Sequence, residues 1–562
     1  MNTRSLWVAL FAAASSLCVA QAQAPASAKR YMVAAAHPLA VDAGLAMIER
    51  GGSAVDAMIA VQLVLNLVEP QSSGLGGGAY LLYYDARRGK LFAYDGRETA
   101  PAGAVPTLLT GADGNALPFA QARAGGRAVG VPGTARLLEV AHARHGKLPW
   151  ATLFAPAIGL AEQGFPMPAR LAHFAARESL ADPAAKAWLY DAAGRAKAPG
   201  ERVVNRDFAS LLRTLAAQGA DGFYRGDVAR DIVRAVHAPP NAGTLSEDDL
   251  AGYRVRDVEP VCAPYRTWRV CGVGPSTYGG IGVLQILGVL ERFDLAAVRP
   301  GSTEAVHLFS EAGRIAYADR NRYGGDDRFT PVPVAGLVDG AYLAERSQLI
   351  RSDRSMGAAR AGMPRGATLA LADDAMEEIA GTSHVSIVDA QGNAVALTTT
   401  IEGIFGSRVV ARGLFLNNEL TDFNYLPFDE GRLAANSVAP GKRPRSSMAP
   451  TMVFDRDGAL AVVAGSPGGS QIINYVARAL VATLDWNLDA QRAVALANFG
   501  SRNGPTEIER GTELQGVSMA LKSMGHDVRE IEMNSGLHLI RRVPGGWQGG
   551  ADPRVEGVAR GR

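Results

Sequence analysis

The apolar positions of this chain switch several times between a helical period and strict alternation, and the switches outline its elements. Pro38 to Arg50 follows the helical period and stops at Gly51-Gly52, a pair suited to a helix C-terminus. Ser53 then caps a second predicted helix, Ala54 to Leu67, apolar on most sides and therefore read as buried. A glycine-rich loop from Glu69 to Ala79 leads into a predicted strand, Tyr80 to Tyr84, and strand character continues to Tyr94-Asp95-Gly96-Arg97. From Val131-Pro132-Gly133 to about Val236 the pattern is helical. A short acidic helix follows over Leu245 to Tyr253, then a hairpin over Val258 to Val273. A helix from about Glu304 to Tyr317 leads into Ala318-Asp319-Arg320.

Residues 352–380 lose periodicity, carry Asp373, Asp374, Glu377 and Glu378, and read as an exposed or mobile connector. Two runs with β character come next, Gly381 to Asp389 and Ala394 to Thr400, around the turn Gln391-Gly392-Asn393. A hairpin symmetric about Gln391 sets Thr382 opposite Thr400, and alternation puts Thr398 and Thr400 on one face. Strands and turns run on to about Val463, followed by helices over Ser470 to Thr483 and Ala490 to Asn498 and a closing αβ segment. Strand-rich and helix-rich blocks alternating on this scale predict layered α/β or α+β packing.

Length and charge narrow the picture. The chain has 562 residues, 48% of them apolar, enough for a sizeable core or several domains. Its formal net charge is only +2 and no basic run stands out, which argues against nucleic acid or an anionic membrane as partner. The first residues read as a secretory signal: Arg4, the apolar stretch Leu6 to Ala14, and an A-x-A cleavage site ending at Ala22 or Ala24. Cys18 lacks the preceding small residue that a lipidated cysteine needs. No later run offers some 18 uninterrupted apolar residues, so the mature protein is expected to be soluble and periplasmic, with no membrane span. Cys262 and Cys271 flank a short hairpin turn. In an oxidising compartment they form a disulfide; two buried free thiols are the alternative.

Several chemistries find no support. The nine histidines are scattered and His142/His145 lack a third ligand, so no metal is expected. The G-x-G-x-x-A match inside the glycine loop follows a helix and precedes a strand, the reverse of a dinucleotide site, and reads as a loop for close backbone packing. Neither a P-loop nor a G-x-S-x-G elbow is present. A self-activating threonine remains. Attack of Thr382 on the carbonyl of Gly381 gives an ester by an N→O shift, and water then frees a chain beginning at Thr382. Its own α-amine, a group that ordinarily titrates at about 7.7–8.0, is matched to general-base work at neutral pH. Gly468-Gly469, between the predicted strand Ala459 to Ala464 and a helix, offers unobstructed N–H groups for an oxyanion, although an ordinary strand-to-helix turn accounts for the same residues.

From about residue 30 to its end the chain resembles the γ-glutamyltranspeptidases of the N-terminal-nucleophile hydrolase superfamily. The resemblance rests on Glu69-Pro70-Gln71 with its glycine loop, Tyr94 to Glu98, Val131 to Thr134, Tyr317 to Arg320 and Thr382-Ser383-His384. It continues through Asn417 to Phe423, Lys442 to Met448, Gly465 to Ser470 and Ala551 to Arg554. It implies a four-layer αββα sandwich built jointly by two fragments, 25–381 and 382–562, cut at Gly381-Thr382. It also implies a nucleophile at Thr382, a hydrogen-bonding second threonine at Thr400, and an oxyanion hole at Gly468 and Gly469. Arg97, Ser446 and Ser447 would hold the α-carboxylate of a γ-glutamyl donor such as glutathione, while Glu419 and Asp422 would hold its α-amine. The acyl group would pass to water or to an amino acid or peptide acceptor, without a cofactor.

Three departures stand out. Glu402 occupies a position where many members have Asn, Ser383 replaces the second threonine of a Thr-Thr pair, and the lid segment between Asp422 and Ser446 looks shortened. The last predicts a more open site that favours hydrolysis over transfer. An acylase for glutaryl side chains or poly-γ-glutamate is the nearest rival reading; a catalytically dead periplasmic binding protein is the rival from another class.

Overall fold

The computed structural model describes residues 24–562 apart from 179, 369–370, 375, 377, 379–380 and 430. The predicted signal, with Cys18, and Glu377 of the connector therefore lie outside the described residues. Two seven-stranded sheets stack face to face. Along the first, the strand order is Val558–Gly561, Met32–Ala35, Thr382–Val388, Ala394–Thr400, Gly78–Asp85, Lys90–Gly96 and Arg256–Val258. The second runs Ala26–Ala28, Gly546–Ala551, His538–Val543, Leu460–Gly465, Thr451–Phe454, Trp268–Val273 and Pro260–Tyr265. Every pairing within these two sheets is antiparallel.

Alternation along the central strands explains the layers. Val33, Ala35, Leu81, Val385, Ile387, Val395 and Leu397 share a core with the helices Pro38–Glu49 and Ala54–Val68. Their neighbours Met32, Ala34, Leu82, Val388, Ala394 and Ala396 point the other way, into a core with Val270, Met452 and Val462 of the second sheet. That core continues into the helices Gly279–Leu290, Thr303–Tyr323 and Ile472–Leu484 on the outer face. Both faces of each sheet are therefore covered, which gives an αββα sandwich.

The helix Ala54–Val68 is buried along its whole length and starts in a capping box, with Asp56 N–H donating to Ser53 Oγ and Asp56 accepting from Ser53 N–H. Two expectations need correction. The helix Thr303–Tyr323 does not end before Ala318-Asp319-Arg320 but runs through it. Asp319 and Arg320 are buried there among partners on other elements, so local periodicity did not reveal the last turns. The connector is not simply exposed either. Ala372 and Asp374 are buried, because Arg445 at the core edge takes Asp374 as its counter-ion at 3.3 Å.

Cys262 and Cys271 lie directly opposite in the edge hairpin of the second sheet, and their sulfur atoms are bonded. No helix among the described residues is long and apolar enough to cross a membrane.

Candidate active site

The hairpin register pairs Thr382 with Thr400 and His384 with Thr398, and this face of the hairpin looks between the two sheets. Both threonines are almost fully buried. Thr382 Oγ1 donates to Thr400 Oγ1 at 3.2 Å, and Thr400 Oγ1 donates to the carbonyl oxygen of Gly381 at 2.6 Å. Glu402 N–H donates to the same Thr400 oxygen at 2.8 Å. A hydroxyl has one donor and two acceptor sites, so Thr400 is saturated by these three contacts. They join the hydroxyl of Thr382 to the carbonyl oxygen of the preceding peptide bond through one atom. Gly381 admits no side chain, since a Cβ there would lie 2.2 Å from Glu402 O.

The glycine loop braces this arrangement. Ile401 N–H donates to Ser72 O, Asn417 N–H to Gly76 O, and Ser73 Oγ to Ser383 Oγ at 3.1 Å. The hydroxyl of Ser383 thus faces the loop rather than the Thr382–Thr400 pair.

Arg97, at the end of the strand Lys90–Gly96, is 1% exposed. Its Nη2 donates to Asp422 Oδ2 at 2.6 Å and to Arg445 O at 2.8 Å, its Nε to Pro444 O at 3.2 Å, and its Nη1 to Glu419 Oε1. Asp95 fixes the Arg97 backbone by accepting its N–H at 2.9 Å, and Tyr253 Oη donates to Arg97 O at 2.7 Å. Burial opposes the charge on Arg97, yet Glu419 and Asp422 more than offset it and keep the guanidinium protonated well above its usual range. The carboxyls move the other way. Burial lifts Asp422 to about 6 and Glu98 to about 7 against the pull of Arg97, and raises Glu419 well above the ordinary carboxylate range. One guanidinium cannot balance three carboxylates in a dry site, so protons stay on the carboxyl side.

A cavity joins these groups. Arg97, Thr382, Thr400, Glu402, Asp422 and Ser446 line it, together with Glu419 and Gly469. Gly468 and Gly469 adopt φ of +138° and +56°, a bend open to glycine, and lead into the helix Ile472–Leu484. Glu402 also has a left-handed backbone, with φ +72°, and its carboxylate accepts from Asn418 Nδ2. Asn tolerates that conformation better than Glu, which fits the Asn expected there from the resemblance. Ser446 Oγ accepts from Met448 N–H, and Ser447 Oγ accepts from Arg320 Nε at 3.0 Å. The segment between Asp422 and Ser446 holds a small hairpin, Phe428–Asp429 with Arg432–Leu433. Cys262 and Cys271 stand apart from the cavity, at the edge of the second sheet.

Sequence reasoning gave no role to Glu98, Asn418, Arg320 or Glu378, all of which border this site or hold its walls. Glu98 was signalled by its position next to Arg97; the others were not, because their partners are distant in sequence. It also missed a buried cluster of His307, Glu311 and His526, whose ligand atoms lie within 4.8 Å of one another. Both ring nitrogens of each histidine and both oxygens of Glu311 already have protein partners. Arg314 donates to Thr506, Thr506 meets His526 at 2.7 Å, His526 meets His307 at 2.8 Å, and His307 reaches Arg351 O at 2.7 Å. Glu311 accepts from Arg314, Ser355 and Met356 N–H, so Arg314 already supplies its cation.

Two stacked antiparallel sheets between helical layers are the architecture of the N-terminal-nucleophile hydrolases. The family model described as Gamma-glutamyltranspeptidase matches residues 40–561. The chain belongs to that family. Among its relatives is the glutathione hydrolase proenzyme of Bacillus subtilis strain 168, 34% identical over 547 residues that cover 94% of this chain and 91% of that protein. The Acylase ACY 1 proenzyme of Pseudomonas sp. strain SE83 is 35% identical over 538 residues, 94% of this chain and 92% of that protein. A solved cephalosporin acylase from Bacillus halodurans superposes with a TM-score of 0.84 at 27% identity, covering 96% of this chain and 97% of that one.

Proposed function

We propose that the chain is a self-processing γ-glutamyltranspeptidase and glutathione hydrolase, secreted to the periplasm, whose nucleophile is the N-terminal threonine freed by its own cut at Gly381-Thr382. The observation that carries this reading is one cavity lined by Thr382, Thr400, Arg97, Glu419 and Asp422. The hydroxyl of Thr382 attacks Gly381 C while Thr400 holds its oxygen, and water resolves the ester. The fragments 25–381 and 382–562 stay together because their strands interleave in both sheets. The strand Thr382–Val388 sits between Met32–Ala35 and Ala394–Thr400, and the latter pairs onward with Gly78–Asp85.

In the processed enzyme the new α-amine takes the proton of Thr382 Oγ1 as it attacks the γ-carbonyl of the donor. The oxyanion is met by the N–H groups at Gly468 and Gly469. The amine leaves, and water or an amino-acid or peptide acceptor takes the acyl group from the γ-glutamyl ester. The donor's α-carboxylate pairs with Arg97 beside Ser446 and Ser447, and its α-ammonium with Asp422 and Glu419. Binding thus exchanges one internal ion cluster for two matched pairs.

This exchange separates the two readings the relatives leave open. A glutaryl donor brings the carboxylate without the ammonium. It takes Arg97 away from Asp422 and Glu419 and leaves them buried without a cation. We expect kcat/KM on γ-glutamyl-p-nitroanilide to exceed that on glutaryl-p-nitroanilide by at least about 100-fold, or about 2.7 kcal/mol. A preference for the glutaryl substrate would reverse the assignment to a glutaryl acylase.

The same carboxyls set a pH dependence. Asp422, lifted to about 6 by burial against Arg97, holds an ammonium only when ionised. As pH falls below about 6 its ionised fraction drops. The donor KM should therefore rise by up to tenfold per pH unit, while it stays level above that range. A KM that is flat from pH 7.5 to 5 would remove Asp422 from donor binding.

A further inference from the structure

The donor cavity is too small for a donor in the uncut chain. Its free volume is about 10 Å³, room for about one water, whereas ligand sites run to hundreds of cubic ångströms. Something on its wall has to leave before a donor enters. Among the described residues, one lining side chain comes from the connector before the cut: Glu378, three residues ahead of Gly381.

Glu378 is held as a ligand would be. Ser447 N–H donates to its Oε2 at 2.8 Å, Arg320 Nη2 donates to its Oε1, and Arg445 Nε lies 4.0 Å from Oε1. Ser470 N–H donates to its main-chain oxygen at 3.2 Å. The receiving corner is built independently of Glu378. Arg320 is 1% exposed, its Nε is fixed on Ser447 Oγ and its Nη1 on Asn321 Oδ1 at 3.1 Å, leaving Nη2 aimed at the carboxylate. A buried guanidinium beside a main-chain N–H is a carboxylate receptor, and the carboxylate it holds, that of Glu378, lines the cavity of Thr382, next to Ser446.

We propose that Arg320 and the N–H of Ser447 add a second cation and donor to Arg97 for the donor's α-carboxylate, and that Glu378 occupies their corner in the uncut chain as an internal substitute for that carboxylate. The proposal rests on the γ-glutamyl reading above for the identity of the donor. Self-cleavage then does two things. It frees the amine of Thr382, and it leaves Glu378 three residues from a new chain end, held among the described residues by Ser447, Arg320, Arg445 and Ser470, so a small zwitterionic acid can displace it. Before the cut the precursor is blocked by its own carboxylate.

The test uses the processed Glu378→Gln enzyme, whose tail cannot place a carboxylate in the corner. A synthetic peptide with the sequence of residues 374–381 is titrated into it by calorimetry, alongside the same peptide carrying Glu378→Gln. The first peptide should bind at least tenfold more tightly than the second, and should raise the KM of γ-glutamyl-p-nitroanilide without lowering kcat. In the full chain Arg320→Lys, which keeps the charge but loses the fork, should raise the donor KM about tenfold while kcat falls less. Equal binding of the two peptides, inhibition that is not competitive, or an unchanged KM in Arg320→Lys would overturn the proposal. The calorimetry needs no turnover. A protein that binds the acidic peptide but ignores γ-glutamyl donors would therefore contradict the donor assignment, not the corner.

Discussion

Thr382→Ala is expected to leave the chain as a single uncut band with no measurable hydrolysis of γ-glutamyl-p-nitroanilide. The substitution removes one hydroxyl and a methyl from a buried position, while Thr400 still bonds Gly381 O and the strand pairing persists. Folding is therefore retained, and the loss is chemical. Without Oγ1 there is no nucleophile for the N→O shift, no new N-terminus and no ester intermediate. Activity should fall at least about 10⁴-fold, the scale seen when a covalent nucleophile is removed. Thr382→Ser keeps the hydroxyl and should still split. The measurement is a denaturing gel with N-terminal sequencing of the small fragment. A fully active, uncut Thr382→Ala protein would end the reading of this site.

Thr400→Val is the second large effect and separates positioning from nucleophilicity. Valine matches threonine in shape but cannot donate to Gly381 O or accept from Thr382 Oγ1 and Glu402 N–H. Losing one preaimed donor to a developing oxyanion costs about 10²–10³ in rate. Self-cleavage should slow by that factor, followed as band intensity against time at neutral pH. The orphaned buried groups should also lower stability by about 1–3 kcal/mol, read from the urea midpoint. Cleavage at the wild-type rate would show that the Thr400 contact is incidental to the cut.

The contrast between these variants follows the strand geometry. Thr382 and Thr400 are 18 residues apart in sequence, but the hairpin sets them face to face, and the turn Gln391-Gly392-Asn393 fixes that register. A one-residue slip would turn both hydroxyls toward the helical layer and place Ser383 and Thr399 between the sheets.

The sequence by itself determined the hairpin, its register and the pairing of Thr382 with Thr400, because turn chemistry and a period of two are local properties. It also determined the helix Ala54–Val68, whose cap and apolar run are contiguous, and the opposition of Cys262 to Cys271 across a short turn. The family motifs added the distant partners by resemblance, though their physical reason lay elsewhere. Only the tertiary structure decided that Arg97 stands between Glu419 and Asp422, more than three hundred residues away, and that burial then holds protons on the carboxyls. It alone carried the helix through Arg320, drew Asp374 inward to Arg445, and seated Glu378 on Ser447. Those arrangements come from burying charges, and a charge finds its counter-ion in space rather than along the chain.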